Sequence, residues 1–459
     1  MCKLSANHNK APNAGIESGQ YEKHEDIGAL FRAHAQKYRD IYKPNLAQIK
    51  FIKDVSKCKT PAQGGIMISC NECAHRTYIY KSCGNSQCPK CQSIKRMQWQ
   101  DKLAAKIMRC PYQHIVFTIP HEMNYIAVRY PKLVYNTLFK SAWKTIHSLS
   151  KDEENVGGTP GMTAVLHTFG SDLKHHIHLH TLVPFGAIDK DRKWIWPKRK
   201  DKIASYRAIC KVFRSEYLKQ MHKVLKAEDE EYYETVVSRL KDIEGIRWCV
   251  HNTPPTTHTK VIEEYLSRYI CRVGVSDKKL KYDPLKQEVK LQYNDYRKQE
   301  KNQAAPKAYK QIDPLIAIDQ ILKHVLPPYF QKVRYFGIMT SNQLKKIRKE
   351  LPELVKENRN TIRTLFQIVK ALLQIEDAEE IVCQNCGSAD LKTQTLIPDS
   401  NWYEVHIRKN KNTIKNKSPD QTTQNIMIPK ILKHHSEPSP AMLLSQEISL
   451  KNELFTNIG

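Results

Sequence analysis

The sequence predicts an α+β protein in which an antiparallel sheet carries helices on one face and follows a small cysteine-rich domain. Three observations lead to this prediction. Histidines alternate with other residues at positions 176, 178 and 180, a period typical of a strand. Paired cysteines cluster between positions 70 and 91. Elsewhere, apolar residues recur every three or four positions, a spacing that indicates helices.

The net charge of the chain indicates which kind of molecule it binds. The chain has 459 residues, enough for two or three domains, and its 74 Lys+Arg against 47 Asp+Glu give a formal net charge of +27. Such an excess attracts polyanions over long range, and nucleic acid is the leading candidate. There is no apolar run of transmembrane length, and Met1–His8 lacks the apolar segment of a secretory signal. We therefore expect a cytoplasmic protein that does not contact a membrane.

The N-terminal part divides into a tail and a helical region. Residues 1–24 are polar and predict a disordered tail. Apolar residues from Ile27 to Tyr38 predict a helix, and a second helix is expected over Asn45–Val55. These helices open a domain that we place at residues 25–108.

The cysteine cluster in this domain predicts a structural zinc site. Two Cys-x-x-Cys pairs can each place two thiolates on one tetrahedral ion, and thiolates favour zinc. A closed shell of four protein ligands indicates a structural rather than a catalytic role. Five cysteines are present for four places, so one is spare, and His75 is a weaker substitute. The candidate ligands are Cys70, Cys73, Cys83, Cys88 and Cys91.

The histidine strand predicts a second metal site. Side chains alternate along a strand, so His176, His178 and His180 project from one face. Imidazoles that converge in this way suit a divalent cation. His176 is the predicted third ligand, and a side chain from Pro120–Glu122 or from a later helix remains an alternative. Thr163–Phe169 is the expected antiparallel neighbour of this strand.

A tyrosine pair lies on the helix predicted over Thr259–Arg272. Tyr265 and Tyr269 are four residues apart and so share a face. Arg268 and Arg272 have the same spacing and are placed to hold a phosphate. The pattern alone leaves two interpretations open, aromatics at the margin of a core or a functional pair.

The C-terminal part carries weaker signals. Residues 341–380 predict a helical extension. Cys383 and Cys386 form a Cys-x-x-Cys pair that supplies half of a zinc site. Residues 381–459 are rich in polar residues and are expected to be largely disordered.

Together these motifs resemble a known family. His178-Leu179-His180 is similar to the His-hydrophobic-His motif of rolling-circle nucleases, and Tyr265 with Tyr269 is similar to their paired-tyrosine motif. More narrowly, the chain resembles the IS91-like insertion-sequence transposases. The matching stretches lie in the family's order between about residues 30 and 340 and are Cys70–Cys91, Pro111–Glu122, Thr163–Thr168, His175–Pro184, Glu264–Arg272, His324–Phe330 and Arg334–Gly337.

The resemblance implies a nuclease domain over residues 110–340 and a bacterial, nucleoid-associated transposase. Such an enzyme would nick and rejoin single-stranded DNA at element ends through a 5′-phosphotyrosine intermediate, in rolling-circle transposition. Tyr265 and Tyr269 would be the nucleophiles, His178 and His180 would hold Mg²⁺ or Mn²⁺, and no nucleotide cofactor would be needed. Three alternatives stay open: a plasmid replication initiator or relaxase, a non-catalytic zinc-dependent DNA-binding protein, and a metal-dependent hydrolase that uses only the histidines.

Overall fold

The computed structural model describes residues 26–91, 106–246, 248–257, 274–300, 303–354, 382–383 and 385–399. The tail predicted at 1–24 and most of the predicted helical extension lie outside these ranges. The helices are α1 (Ile27–Tyr42), α2 (Leu46–Lys57), α3 (Asn124–Arg129), α4 (Pro131–Lys151), α5 (Tyr206–Glu228), α6 (Glu230–Gly245), α7 (Pro314–Leu322) and α8 (Ser341–Glu350). None of these described helices has both the length and the hydrophobicity that crossing a bilayer requires.

The described strands form three sheets and one short hairpin. In chain order they are β1 (Gly65–Cys70), β2 (Arg76–Tyr80), β3 (Tyr112–Thr118), β4 (Gly161–Phe169), β5 (His175–Pro184), β6 (Ala187–Ile188), β7 (Trp194–Ile195), β8 (Val250–Asn252), β9 (Leu280–Asp283), β10 (Glu288–Asn294), β11 (Lys307–Ile312), β12 (Val333–Gly337) and β13 (Leu391–Leu396).

The main sheet has five strands in the order β12-β4-β5-β3-β8, and each neighbouring pair is antiparallel. Every residue of β4 is buried, as expected for a strand with neighbours on both sides and cover on both faces. The predicted α+β class is therefore confirmed.

Helices α4, α5 and α6 cover one face of the main sheet. Ile115, Phe117 and Leu179 point into this layer, are 0% exposed and share one hydrophobic core with the helices. Because side chains alternate along β5, His178 and His180 face the other way. On that second face, Leu182 and Val165 share a hydrophobic cluster with α8, and Val165 is paired directly with His180.

A second hydrophobic core joins the N-terminal helices to a later part of the chain. Helices α1 and α2 pack against β9, β10 and α7. The His34 imidazole lies 2.8 Å from the Tyr282 hydroxyl, and the Tyr38 hydroxyl donates to Asp319 at 3.0 Å. Apolar side chains from the predicted ranges 25–108 and 110–340 therefore bury one another in this core.

The third sheet contains a strand where the sequence predicted largely disordered chain. Strand β13 pairs antiparallel with all six residues of β1, and β2 pairs with the other edge of β1. Few side chains of β13 are buried, so hydrophobic patterning gave no signal for it. Within the region predicted to be largely disordered, residues 391–396 therefore form a strand.

Candidate functional site

Three histidines lie together on the face of the main sheet opposite helices α4–α6. His178 and His180 come from β5 and His167 comes from β4, and one nitrogen from each lies within 4.8 Å of the others. The ring centroids are 4.7 Å apart for His167 and His180, and 4.9 Å apart for His178 and His180. We call these three residues the histidine trio. Its nitrogens are close enough to be drawn onto one divalent ion.

Strand register brings the trio together. His167 is paired directly with His178 across the β4–β5 ladder, and directly opposed residues project to the same side. Ile177 and Leu179, which alternate with the histidines, are 1% and 0% exposed beneath the helices. A one-residue slip of β5 would turn those apolar side chains out and the imidazoles in. The hydrophobic core therefore fixes which way the histidines face.

The predicted third ligand, His176, does not belong to this trio of close nitrogens. It is exposed, and its backbone carbonyl lies 2.9 Å from Nδ1 of His178. Because a carbonyl only accepts, Nδ1 of His178 donates, which places the lone pair of that ring on Nε2. His167 takes the place that strand alternation assigned to His176. The sequence contains His167 in a correctly predicted strand, but only the register shows that it opposes His178.

A fourth histidine, His114 on β3, contacts the trio from the side. Its Nε2 lies 3.1 Å from Nδ1 of His180, and the two rings are nearly parallel, with an interplanar angle of 11°. Burial, with smaller effects from His251 and His178, lowers the pKa of His114 to about 3, so the ring is neutral at pH 7. When Nδ1 of His180 donates to this neutral ring, the lone pair of His180 lies on Nε2, which is then the nitrogen available to a metal. Sequence reasoning had not singled out His114.

The chemistry of the donors fits a divalent transition metal. Three neutral imidazoles suit Mn²⁺, Zn²⁺ or a related ion, whereas Mg²⁺ prefers oxygen ligands. Three protein ligands also leave coordination positions for a substrate. The arrangement can therefore hold a Lewis acid on the face of the sheet opposite helices α4–α6.

The cysteines form two separate clusters of four, which corrects the grouping predicted from sequence. Of the five predicted ligands, Cys70 and Cys73 lie apart from the other three. All cysteines of both clusters are free thiols. Within each cluster the sulfurs lie within 4.8 Å of one another; the first contains Cys58, Cys83, Cys88 and Cys91, and the second contains Cys70, Cys73, Cys383 and Cys386.

The first cluster sits against the N-terminal helices. Cys58 is the C-cap residue of α2. Its sulfur lies 3.1 Å from the sulfur of Cys91, and the sulfur of Cys83 lies 3.5 Å from that same atom. Cys58 and Cys88 are 0% exposed. Contacts among the four sulfurs lower the pKa of the Cys91 thiol and raise the pKa values of the Cys83 and Cys88 thiols, because neighbouring thiols stabilise one thiolate and oppose a second. Cys58 has no cysteine at metal-ligand spacing in sequence, so the motif search missed it.

Comparisons with known proteins match both the part of the chain that contains the histidine trio and the part that contains the first cysteine cluster. Residues 161–346, which include the histidine trio, match a family model described as "Putative transposase". Residues 30–119, which include the first cysteine cluster, match a model described as "Transposase zinc-binding domain". The chain belongs to the IS91-like transposase family.

Two relatives extend the match over most of this transposase. It is 29% identical over 325 residues to "Putative transposase y4qJ" of Sinorhizobium fredii, across 68% of this chain and 80% of that protein. It is 23% identical over 310 residues to "Transposase for insertion sequence element IS801" of Pseudomonas savastanoi pv. phaseolicola, across 64% and 70% respectively. No solved structure matches the chain. A structural zinc ion and a DNA substrate follow from the family.

The predicted tyrosine pair of the transposase, Tyr265 and Tyr269, and the neighbouring Arg268 and Arg272 lie outside the described residues. The structure does describe both ends of the segment that contains them.

Proposed function

We propose that this transposase nicks and rejoins single-stranded DNA at the ends of its element through a 5′-phosphotyrosine intermediate, in rolling-circle transposition. The observation that carries the proposal is the histidine trio, His167, His178 and His180, within the transposase-matching part of the chain. Two strands of a packed sheet hold these rings, so the site is rigid, as catalytic metal sites require.

The histidine trio would hold the catalytic ion, Mn²⁺ or a similar metal, with Mg²⁺ as the abundant competitor. When bound, such an ion polarises the non-bridging oxygens of the scissile phosphate. The contact of His178 with the carbonyl of residue 176 and the contact of His180 with His114 keep both rings oriented.

Tyr265 and Tyr269 are the proposed nucleophiles. The phenolate oxygen of one tyrosine attacks the phosphorus, the bond from phosphorus to the 3′-oxygen breaks, and that oxygen leaves as a hydroxyl after taking a proton. The tyrosine ester keeps the bond energy, so a later attack by a 3′-hydroxyl can rejoin the strand. Two tyrosines permit one attack at each element end, and Arg268 with Arg272 would hold the phosphate.

The ends of the tyrosine-bearing segment support this assignment. On one side, Thr256 pairs with Tyr112 at the start of β3. On the other, a Cβ built on Gly274 would lie 3.3 Å from the ring of Phe169. That ring stacks on His167, with centroids 5.1 Å apart and an interplanar angle of 18°. The chain that carries both tyrosines therefore rejoins the described structure beside the histidine trio.

The DNA substrate is proposed to be single-stranded. The net charge of +27 supplies the attraction to phosphates, and aromatic residues among cations suit the stacking of unpaired bases. Trp194 and Trp196 offer such aromatics on and beside β7, with Trp196 54% exposed next to basic residues.

The deciding experiment looks for the covalent intermediate. Purified transposase is incubated with labelled single-stranded element ends and Mn²⁺, and the products are separated under denaturing conditions. A labelled protein band is expected, reduced in Tyr265→Phe or Tyr269→Phe and absent in the double variant. Tyr309→Phe, a change at an exposed tyrosine on β11, is the control and should leave the band unchanged. DNA binding without any adduct would favour the non-catalytic alternative.

A second experiment tests the composition of the metal site. His167→Phe should abolish Mn²⁺-dependent adduct formation, whereas His176→Phe should retain it, because only His167 contributes a nitrogen to the close trio. The reverse result would mean that His176 is the third ligand. Loss in neither variant would remove the histidine trio from the reaction.

A further inference from the structure

We propose that Cys70, Cys73, Cys383 and Cys386 bind a second structural zinc ion, which fastens the C-terminal part of the chain to the N-terminal zinc-binding domain. The matched zinc-binding domain ends at residue 119, so half of this site lies outside it. Cys73 and Cys383 are 310 positions apart in sequence, yet their sulfurs are 3.6 Å apart. The sulfurs of Cys70 and Cys386 are 3.5 Å apart.

These distances fit a tetrahedral zinc site. Four sulfurs about 2.3 Å from one zinc ion lie about 3.8 Å from one another. All four sulfurs of this cluster lie within 4.8 Å of one another, and none is in a disulfide. Cys70 and Cys383 are 4% and 6% exposed, so the cluster is partly shielded from water.

The two Cys-x-x-Cys loops share two described backbone features, which are independent support for the site. In the first loop, the Cys70 amide donates to the carbonyl five residues later, His75, at 2.9 Å. In the second, the Cys383 amide donates to the carbonyl of Ser388, also five residues later, at 2.8 Å. In each loop the residue after the second cysteine is left-handed, with φ of 53° at Ala74 and 76° at Gly387. Two loops with these shared features thus bring their four thiols together.

The neighbouring sheet explains why a metal is needed there. Strand β13 extends β1 over six residue pairs, but its four central side chains are exposed. Backbone pairing with so little apolar burial is marginal in water, and small units of this kind usually require a metal or disulfides. The hydrogen bonds between Asn71 and Asp390, at 2.8 and 3.1 Å, sit directly beside the cysteines. The ion would therefore hold β13 in place, and the zinc-binding domain would be completed from both ends of the chain.

The test is zinc content per chain in the full-length protein. Cys383→Ser/Cys386→Ser should lose one equivalent of zinc relative to the unmodified protein. The control is Cys210→Ser/Cys249→Ser, two cysteines outside both clusters, which should lose none. Because all three proteins share the histidine trio, any zinc held there cancels in the comparison. An unchanged zinc content in Cys383→Ser/Cys386→Ser would overturn the proposal.

Hydrogen exchange supplies a second readout that separates local release from misfolding. In Cys383→Ser/Cys386→Ser, the amides of residues 391–396 should exchange at the rate of an unstructured peptide, while those of β3 and β5 keep their protection. Fast exchange of 391–396 in the zinc-loaded unmodified protein would contradict the proposal. So would a protein purified under non-reducing conditions that lacks this zinc and has the four thiols joined in disulfides.

Discussion

The contact between His114 and His180 leads to a quantitative prediction about metal affinity. His114→Phe keeps an aromatic ring where the imidazole stacks on His180 at 5.3 Å, but removes the 3.1 Å nitrogen–nitrogen contact. Loss of such an outer partner typically weakens metal binding about ten- to a hundredfold, or about 1.4 to 2.8 kcal/mol. We expect the Kd for Mn²⁺, measured by calorimetric titration, to rise by that factor.

Covalent adduct formation distinguishes positioning from direct ligation. If His114 only orients His180, saturating Mn²⁺ should restore most of the adduct in His114→Phe, because the histidine trio is intact. His147→Phe is the control: this half-buried imidazole on α4 packs on Trp143 at 5.2 Å, away from the trio, and its loss should leave the Kd unchanged. An unaltered Kd in His114→Phe would refute the reasoning. Complete loss of binding would make His114 itself a ligand.

Three further predictions concern stability. Burial lowers the pKa of His34 to about 4 from its usual 6.5, so the unfolded chain takes up a proton first as the pH falls. The free energy of unfolding should then drop by about 2 kcal/mol between pH 8 and pH 5 through this residue, and urea unfolding of His34→Phe should show a correspondingly weaker pH dependence. Leu179→Ala, at a 0% exposed position beneath the helices, should lower the free energy of unfolding by about 2 to 5 kcal/mol, and an unchanged Tm would contradict the assigned core. Gly337→Ala should cost more than about 1 kcal/mol, because φ is 55° and the new Cβ would lie 2.1 Å from the Pro160 carbonyl oxygen; Gly245→Ala, with nothing within 4 Å, is the matched control for chemical denaturation.

Local patterns were sufficient to predict much of the main sheet. Alternation predicted β5 and the common face of His178 and His180, and the strand predicted over Thr163–Phe169 lies close to the observed bounds of β4. The helix at 230–245 was missed, because its charged surface hides a narrow buried stripe of Val236, Leu240 and Ile243.

The composition of the sites depended on contacts that no local pattern encodes. Continuing the pairing of Phe169 with His175 would place His167 opposite Ile177, but a one-residue shift in register between His167 and Phe169 places His167 opposite His178 instead. The grouping of the cysteines also depends on distant contacts. Their spacing in sequence suggested that neighbouring pairs share one ion, whereas in the structure the Cys70–Cys73 pair lies beside Cys383 and Cys386.

The amino-acid sequence by itself indicated the classes of chemistry: thiolates that favour zinc, alternating imidazoles that suit a divalent ion, and an excess of positive charge that attracts nucleic acid. Only the tertiary structure decided which of these groups meet. It joined Cys70 and Cys73 to a pair more than 300 positions away and His180 to His114 on the next strand. The physical reason is that residue type and spacing set what a side chain can bind, whereas strand register and the packing of distant segments set its neighbours. Register and packing are those that give the lowest free energy for the whole chain, so a short stretch of sequence does not reveal them.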